Sequence, residues 1–252
     1  MADTELEILA RELAYHEKLY SGFAQSHFAR PAVRALREHM VGRILAVTGA
    51  TRASRVLSIG CGIGDTELLL APHVAEVTGV DLSPTAVRQA NQDAERLGIG
   101  NARFLEGTAE AASGRFDAIF AIFLLHHLSD HALASFAQQM AAMLNPGGVF
   151  YSLDPSQHRL SGVVGRLLIP SLMKKYQTDD ERELDPAATL ALFQPSFPSA
   201  RTATYDFGSS PLAGLFPGWR TGFKLARSMD DLLLRTPVFR RLGSNFEIIA
   251  QK

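Results

Sequence analysis

Three glycines and one aspartate have the types and spacing of residues that bind a nucleoside. Gly60, Gly62 and Gly64 follow the apolar run Val56–Ile59, and Asp81 ends the next apolar run. Glycine lets the backbone turn sharply and approach a ligand closely, and a carboxylate can accept two hydrogen bonds from a ribose diol. The spacing is G-x-G-x-G rather than the G-x-G-x-x-G of dinucleotide sites. The pattern therefore predicts an adenosine-bearing ligand and argues against a nicotinamide dinucleotide.

Two adjacent histidines form the second candidate group. His126 and His127 follow the apolar run Phe116–Phe123. Imidazole exchanges a proton readily near neutral pH, so either side chain is a candidate general base, His127 first and His126 second. The alternative is that they line a substrate pocket or pack behind the strand. Because adjacent residues leaving a strand point in different directions, we expect no shared metal ion.

Alternating strands and helices are predicted to position these residues. Serine, proline and glycine mark the helix ends, as in Ser83-Pro84 before one helix and Gly98 after it. The alternation predicts a parallel sheet with right-handed crossovers, in which ligands bind at the carboxyl ends of the strands. The predicted strands are Arg55–Ile59, Glu76–Asp81, Ala102–Leu105, Phe116–Phe123 and Val149–Leu153, the helices are Asp65–Ala71, Pro84–Leu97 and Ser129–Leu144, and Asn145–Gly148 is a tight turn.

The flanking regions are less regular. Apolar spacing predicts helices over Thr4–Tyr20 and Pro31–Val47, and after Asp154 the alternation weakens. There we expect helices at Leu160–Tyr176 and Pro186–Phe193, late strands at Arg201–Phe207 and Asn245–Gln251, and an insertion at Leu212–Leu242 that forms part of a cap. The predicted organisation is one domain: residues 1–50 as N-terminal helices and lid, 51–154 as cofactor-binding core, and 155–252 as substrate-side cap with the last two strands.

Composition narrows the function classes. The chain has 252 residues, is 46% hydrophobic and carries a formal net charge of −1, which is typical of a globular protein and does not favour a nucleic-acid partner. The single cysteine, Cys61, excludes an internal disulfide framework and a cysteine-based zinc site. The acidic N-terminus lacks a signal-peptide pattern, and no apolar run is long enough to span a bilayer. We therefore predict a cytoplasmic protein.

Five segments, in order, resemble the class I S-adenosylmethionine-dependent methyltransferases. They are VLSIGCGIG (56–64), VTGVDLSPTAVRQA (77–90), FLEGTAE (104–110), FDAIFAIFLLHHL (116–128) and LNPGGVFY (144–151), and Asn245–Ala250 resembles the family's antiparallel last strand. The resemblance implies a Rossmann-like α/β fold with a doubly wound, mostly parallel seven-stranded sheet. It also implies S-adenosyl-L-methionine as cofactor and in-line methyl transfer to a small-molecule or lipid-like acceptor.

The same resemblance implies roles for individual positions along the cofactor. Gly60, Cys61, Gly62 and Gly64 would form the loop under its methionine part. Asp81 would bind the ribose hydroxyls, Leu82 would lie against the adenine, and Thr108 and Ala109 would lie at the adenine edge. Ala121 and Ile122 would lie near the sulfonium methyl, and Tyr20 would close over the site as a lid.

Two positions depart from the family pattern. Ser58 and Thr108 stand where the family commonly has acids that help hold the cofactor. Hydroxyl groups bond more weakly than carboxylates, and Asp65 or Glu67 could compensate. These departures leave open a non-catalytic scaffold that binds S-adenosylmethionine. A nicotinamide-dependent oxidoreductase is the other alternative.

The acceptor is less defined than the cofactor. The segment Ala121–Leu124 lacks the Asn-Pro-Pro-Tyr or Asp-Pro-Pro-Tyr sequence of enzymes that methylate base or glutamine nitrogens, which favours a small molecule. Within residues 212–242, the basic and apolar segment Trp219–Arg227 has two interpretations. It could contact a lipid surface or an apolar acceptor, or it could pack on its own domain with its cations solvated.

Overall fold

The computed structural model describes residues 29–160 and 182–252, together with Arg11, Ala14, Glu17 and Tyr20, each of which is helical. The predicted helix at Leu160–Tyr176 lies outside the described residues, apart from Leu160. The strands are β1 (Arg55–Ile59), β2 (Glu76–Asp81), β3 (Ala102–Glu106), β4 (Phe116–Ile122), β5 (Leu144–Pro155), β6 (Arg201–Asp206) and β7 (Asn245–Gln251). The helices are α1 (Pro31–Thr48), α2 (Asp65–Leu70), α3 (Pro84–Leu97), α4 (Asp130–Met143), α5 (Pro186–Phe193), α6 (Ser209–Leu215), α7 (Arg220–Leu233) and α8 (Pro237–Arg241).

The seven strands form one sheet in the order β3-β2-β1-β4-β5-β7-β6. β7 runs antiparallel to both of its neighbours, and the other pairs are parallel. The predicted Rossmann-like α/β fold with its antiparallel last strand is therefore confirmed. The strand order reverses between β1 and β4, and in such sheets this switch point is where ligands bind.

Alternating side chains of the central strands supply the two faces of the core. Ile119 and Phe150 belong to the cluster that packs under α4 and α5, whereas their neighbours Phe120 and Tyr151 belong to the cluster under α1. Phe193 of α5 is fully buried and stacks on Phe150 with ring centroids 5.4 Å apart. Aromatic residues of the second half of the chain thus contribute to the core.

The predicted turn at Asn145–Gly148 is instead part of β5, and the reason is a contact distant in sequence. Gly147 donates its N–H to the Lys252 carbonyl at 3.1 Å, and the Lys252 N–H donates to the Gly148 carbonyl at 3.0 Å. The register against β4 shifts between Phe116 and Ala118 to accommodate the extra residues. The end of the chain therefore holds this glycine segment in the sheet as an irregular extension of the strand.

The region predicted as an insertion forms α6, α7 and α8, and α6 and α7 pack on α1. The Ala32 N–H donates to the Pro217 carbonyl at 2.8 Å, and Arg220 pairs with Glu38 at 3.0 Å. Arg37, on the same helix, lies 2.9 Å from Asp65 at the start of α2. The loop between α6 and α7 therefore lies on the side of the sheet where β1 ends, and its role as a cap stays a prediction.

Within the described ranges, no helix is both long and apolar enough to cross a membrane. The cytoplasmic location stays a prediction.

Candidate functional site

The glycine loop is built from left-handed backbone conformations. Gly62 and Gly64 have φ values of 52° and 74°. A Cβ atom on Gly64 would lie 2.7 Å from the Phe104 ring, so both the backbone and the packing require glycine there. The N–H groups of Gly60 and Cys61 donate to the Val80 carbonyl at 2.9 and 3.1 Å. These bonds fix the loop against the end of β2.

Asp81 stands at that end and organises the loop. Its Oδ2 accepts from the Gly62 N–H at 2.8 Å, and its Oδ1 accepts from the Ser83 N–H at 2.9 Å. Each carboxylate oxygen has two lone pairs, so each can still accept from one ribose hydroxyl. The half-buried Asp81 thus holds the glycine loop and keeps an acceptor position on each carboxylate oxygen.

The predicted adenine-side residues lie next to Asp81 in the sheet. The Gly107 N–H donates to the Asp81 carbonyl at 2.9 Å, which brings the end of β3 beside β2. Thr108 is exposed and Ala109 is buried, while Leu82 remains 36% exposed. The exposed Leu82 thus offers an apolar surface beside the Asp81 carboxylate.

Ser58 and Glu67 form a buried polar pair under the loop. The Ser58 hydroxyl donates to Glu67 Oε1 at 2.5 Å, and both residues are almost fully buried. Burial raises the pKa of the Glu67 carboxyl to about 7, although the Ser58 hydrogen bond opposes that shift. Among the described residues, Glu67 Oε2 has no hydrogen-bond partner. A carboxyl group from α2 therefore lies beside the position where the family commonly has an acid.

Cys61 is a buried thiol near the carboxyl groups of Glu67 and Asp81. Burial, and secondarily the charge of Glu67, raises its pKa well above the usual range. A protonated, buried thiol is a poor nucleophile, so Cys61 acts here as a small packing residue.

Two N-terminal residues, Glu17 and Tyr20, lie against the glycine loop and the residues after Asp81. The Ser83 hydroxyl donates to Glu17 Oε1, which also accepts from the Thr85 N–H at 3.3 Å. A Cβ atom on Gly62 would lie 2.8 Å from the Tyr20 hydroxyl oxygen, so glycine leaves room for this side chain. Burial and the charge of Asp81 raise the pKa of Tyr20, which keeps its hydroxyl protonated. Tyr20 thus lies beside Gly62 and its role as a lid stays a prediction, whereas no sequence pattern indicated Glu17.

A sharp bend follows β4, the strand that lies beside β1 at the switch point. Phe123 has a φ value of 56°, rare for a residue that is not glycine, and its N–H donates to the Leu153 carbonyl at 2.8 Å. Residues Leu125–His127 then form one 3-10 turn. A Cβ atom on Gly60 would lie 3.0 Å from Leu124 Cδ1, so this turn lies directly against the glycine loop.

The turn places His126 against Asp154 at the end of β5. His126 Nδ1 lies 3.1 Å from Asp154 Oδ1, which also accepts from the His126 N–H at 3.3 Å. Asp154 is fully buried. Asp154 therefore pairs with the turn that follows β4. No local sequence pattern indicated this pair, whose members are 28 residues apart.

The remaining predicted site residues lie around this turn. Ala121 is fully buried and pairs in register with Ile59 and Ser152, while Ile122 is half-buried. The half-buried His127 packs on His126 with ring centroids 4.1 Å apart. The structure thus brings the glycine loop and both histidines to the same edge of the sheet. Within the described part of the chain, no three His, Cys, Asp or Glu side chains group as a metal site would require.

Comparisons with known proteins agree with this geometry. Residues 56–148 match the family described as a methyltransferase domain. An uncharacterized methyltransferase, YcgJ of Bacillus subtilis (strain 168), is 38% identical over 103 residues, which are 40% of this chain and 40% of that protein. A ubiquinone biosynthesis O-methyltransferase of Alkalilimnicola ehrlichii is 27% identical over 201 residues, covering 74% of this chain and 79% of the relative.

A solved structure supports the fold over a longer stretch. Magnesium protoporphyrin IX methyltransferase from Synechocystis PCC 6803, with bound SAH, superposes with a TM-score of 0.60 and 17% identity over 92% of this chain and 88% of that one. The sequence match to YcgJ spans only about two fifths of that protein. The residues that match the methyltransferase-domain family, 56–148, include the glycine loop, Asp81 and both histidines. Residues 56–148 are therefore a methyltransferase domain, similar to the class I S-adenosylmethionine-dependent methyltransferases.

Proposed function

We propose that this protein transfers the methyl group of S-adenosylmethionine to a hydroxyl group on a small, apolar acceptor. The observation that carries the proposal is the buried His126–Asp154 pair beside the glycine loop. A nitrogen acceptor with a free lone pair needs no base, whereas a hydroxyl must lose its proton to become a good nucleophile. A histidine oriented by a carboxylate supplies such a base.

The residues present suit the cofactor. When bound, S-adenosylmethionine supplies an electrophilic methyl group on a sulfonium. Asp81 keeps two lone pairs for the ribose hydroxyls, and Leu82 offers a surface for the adenine. The buried Glu67 Oε2, with no partner among the described residues, suits the ammonium group at the methionine end.

The proton path follows from the orientation of His126. With Nδ1–H donating to Asp154, Nε2 carries the lone pair that would accept the proton of the acceptor hydroxyl. Asp154 then stabilises the imidazolium that forms. His127, packed on the same ring, is the alternative base.

The other contributions are alignment and exclusion of water. An in-line displacement requires acceptor oxygen, methyl group and sulfur to be held in a line, which favours a rigid, closed site. Ala121 and Ile122 would border the methyl group, and Tyr20 would close the site from the N-terminal side. Relatives named as ubiquinone biosynthesis O-methyltransferases are consistent with an oxygen acceptor.

A scaffold that binds the cofactor without turnover is the second candidate, since Ser58 and Thr108 replace acids common in the family. Glu67 weakens that alternative, because it supplies a carboxyl group beside Ser58.

Calorimetric titration tests the first step. Wild type should bind S-adenosylmethionine and its demethylated product with micromolar affinity, Asp81→Ala should bind both at least about tenfold more weakly, and NAD should not bind. Production of the demethylated product with a panel of apolar phenols and alcohols then tests turnover. Absence of binding to either sulfur ligand would contradict the proposal, and binding without turnover on any hydroxyl acceptor would favour the scaffold.

A further inference from the structure

Exposed apolar side chains concentrate in one region of the described chain. Ten large hydrophobic side chains are exposed among all the described residues. Seven of these ten lie between residues 215 and 238, and each of the seven is at least 50% exposed. They are Leu215, Phe216, Trp219, Leu225, Met229, Leu232 and Val238. Scattered exposed leucines need no explanation, but a contiguous group marks an interaction surface.

The outward side of α7 carries the centre of this group. Leu225, Met229 and Leu232 follow one another at spacings of four and three residues, which places them on one helix face, and they are 60%, 57% and 60% exposed. The inward side of α7 is occupied, because Phe223 is buried and the buried Asp230 accepts from the N–H groups at the start of α6. The stripe therefore faces away from the protein's own core.

Two aromatic residues extend the stripe at the start of α7. Trp219 lies over Gly222, where a Cβ atom would be 2.2 Å from the indole ring. Phe216 meets the same indole edge-on, with ring centroids 6.3 Å apart. Both rings stay more than half exposed, and tryptophan is the residue that most favours the boundary between water and lipid.

The charge around the stripe is strongly basic. Residues 209–242 contain six basic and two acidic side chains, in a chain whose formal net charge is −1. Arg220 pairs with Glu38, and Arg227 pairs with Asp231. Lys224 is exposed on α7, and Arg235 is exposed just after the end of that helix. Cations flanking an apolar helix face are complementary to anionic lipid headgroups.

We propose that α7 and residues 215–219 bind the surface of an anionic lipid bilayer. Leu225, Met229 and Leu232 would enter the boundary of the acyl chains, and Lys224 and Arg235 would meet the phosphates. The surface goes beyond the proposed methyl transfer and does not depend on it. It would bring an apolar acceptor dissolved in the bilayer to the side of the sheet that carries the glycine loop, because Pro217 contacts α1 and Arg37 of that helix pairs with Asp65 just after the loop.

Trp219 makes the test direct, since it is the only tryptophan in the chain. Vesicles of phosphatidylcholine, with and without a minority of phosphatidylglycerol, are titrated into the 252-residue protein. We expect a blue shift of the tryptophan emission and co-sedimentation with the anionic vesicles, both reduced by salt. Neutral vesicles should bind at least about tenfold more weakly.

Variants assign the effect to the stripe. The triple change Leu225→Gln/Met229→Gln/Leu232→Gln should weaken vesicle binding by at least about tenfold, since it removes most of the inserted apolar area. Lys224→Gln/Arg235→Gln should weaken binding to anionic vesicles only. Leu97→Gln is the matched control, because Leu97 is 53% exposed at the end of α3 and should leave binding unchanged. Unchanged thermal unfolding verifies that each variant is folded.

Three results would overturn the proposal. One is a wild-type protein that neither shifts its emission nor sediments with anionic vesicles. The second is equal loss of binding in Leu97→Gln and the triple variant. The third is a wild-type dimer, seen by sedimentation velocity, that the triple variant dissociates, since the stripe would then join two copies of the chain. Product binding measured by calorimetry on the same samples separates these outcomes from failure of the methyltransferase proposal.

Discussion

Ser58 of β1 donates a hydrogen bond to Glu67 of α2, with 2.5 Å between Ser58 Oγ and Glu67 Oε1, at the base of the glycine loop. The serine alone would leave this part of the site without an acid. The helix that follows the loop supplies one, and the strand residue now orients it. We expect the ionised form of this buried carboxyl group to lower the stability of the ligand-free protein and to strengthen binding of the cofactor.

The first prediction concerns unfolding of the ligand-free protein. Because burial raises the pKa of Glu67 from 4.5 to about 7, the folded state holds this proton more tightly than the unfolded state. The stabilisation is complete below about pH 4.5 and is lost as the pH rises through about 7, by up to about 3 kcal/mol. Asp65 on the same helix strengthens the shift, and Arg37 of α1 opposes it.

Glu67→Gln should remove that dependence and unfold at a higher urea concentration than wild type at pH 8. Urea unfolding of both proteins at pH 5 and pH 8 measures the difference. A wild-type free energy of unfolding that rises, relative to the glutamine variant, between these two values would contradict the prediction.

The second prediction concerns the cofactor. If the carboxylate of Glu67 holds the ammonium group at the methionine end, Glu67→Gln should weaken binding of S-adenosylmethionine by about tenfold or more, since an amide cannot replace the charge. Ser58→Ala keeps the carboxylate and should have a smaller effect. Calorimetry at pH 8 compares the two. Equal affinities of wild type and Glu67→Gln would place the ammonium elsewhere.

Much of the fold was predictable because its signals are local. β1, β2 and β7 have the predicted bounds, since strands buried on both faces read as continuous apolar runs. α3 begins after Ser83, whose hydroxyl accepts from the Ala86 N–H at 3.0 Å, and ends at Gly98 in the left-handed conformation. Such helix-capping signals lie within a few residues of the structure they determine.

The unpredicted features depend on contacts between distant parts of the chain. The extension of β5 requires Lys252, and the orientation of His126 requires Asp154. Glu17 meets Ser83 from 66 residues away, with no motif on either side. A single sequence indicates which residue types are present at the site but not which of them pair.

The third prediction separates the two histidines. His126→Gln and Asp154→Asn should each lower turnover on a hydroxyl acceptor by about a hundredfold or more, because the first removes the base and the second removes its orientation. His127→Gln is the adjacent control and should lower turnover much less. Product affinity, measured by calorimetry, should be unchanged in all three variants. A larger loss in His127→Gln than in His126→Gln would make His127 the base.

The fourth prediction concerns a buried ion pair that joins α1 to the sheet. Arg43 donates from Nε and Nη2 to the two carboxylate oxygens of Glu247 at 2.8 and 2.6 Å, and the Tyr151 hydroxyl donates to Glu247 Oε1 at 2.9 Å. Glu247 is fully buried, whereas the Arg43 side chain is 36% exposed. Arg43→Met leaves the carboxylate without its cation and should lower the free energy of unfolding by about 2–3 kcal/mol.

The double variant Arg43→Met/Glu247→Gln provides the matched control for that measurement. Because the amide can still accept from Tyr151 and carries no charge, the double variant should regain part of the lost stability in urea unfolding. The gain would assign the cost to the uncompensated charge rather than to lost packing of the arginine stem. If the double variant is instead less stable than Arg43→Met, the carboxylate tolerates burial without its cation, and the ion pair does not account for the attachment of α1.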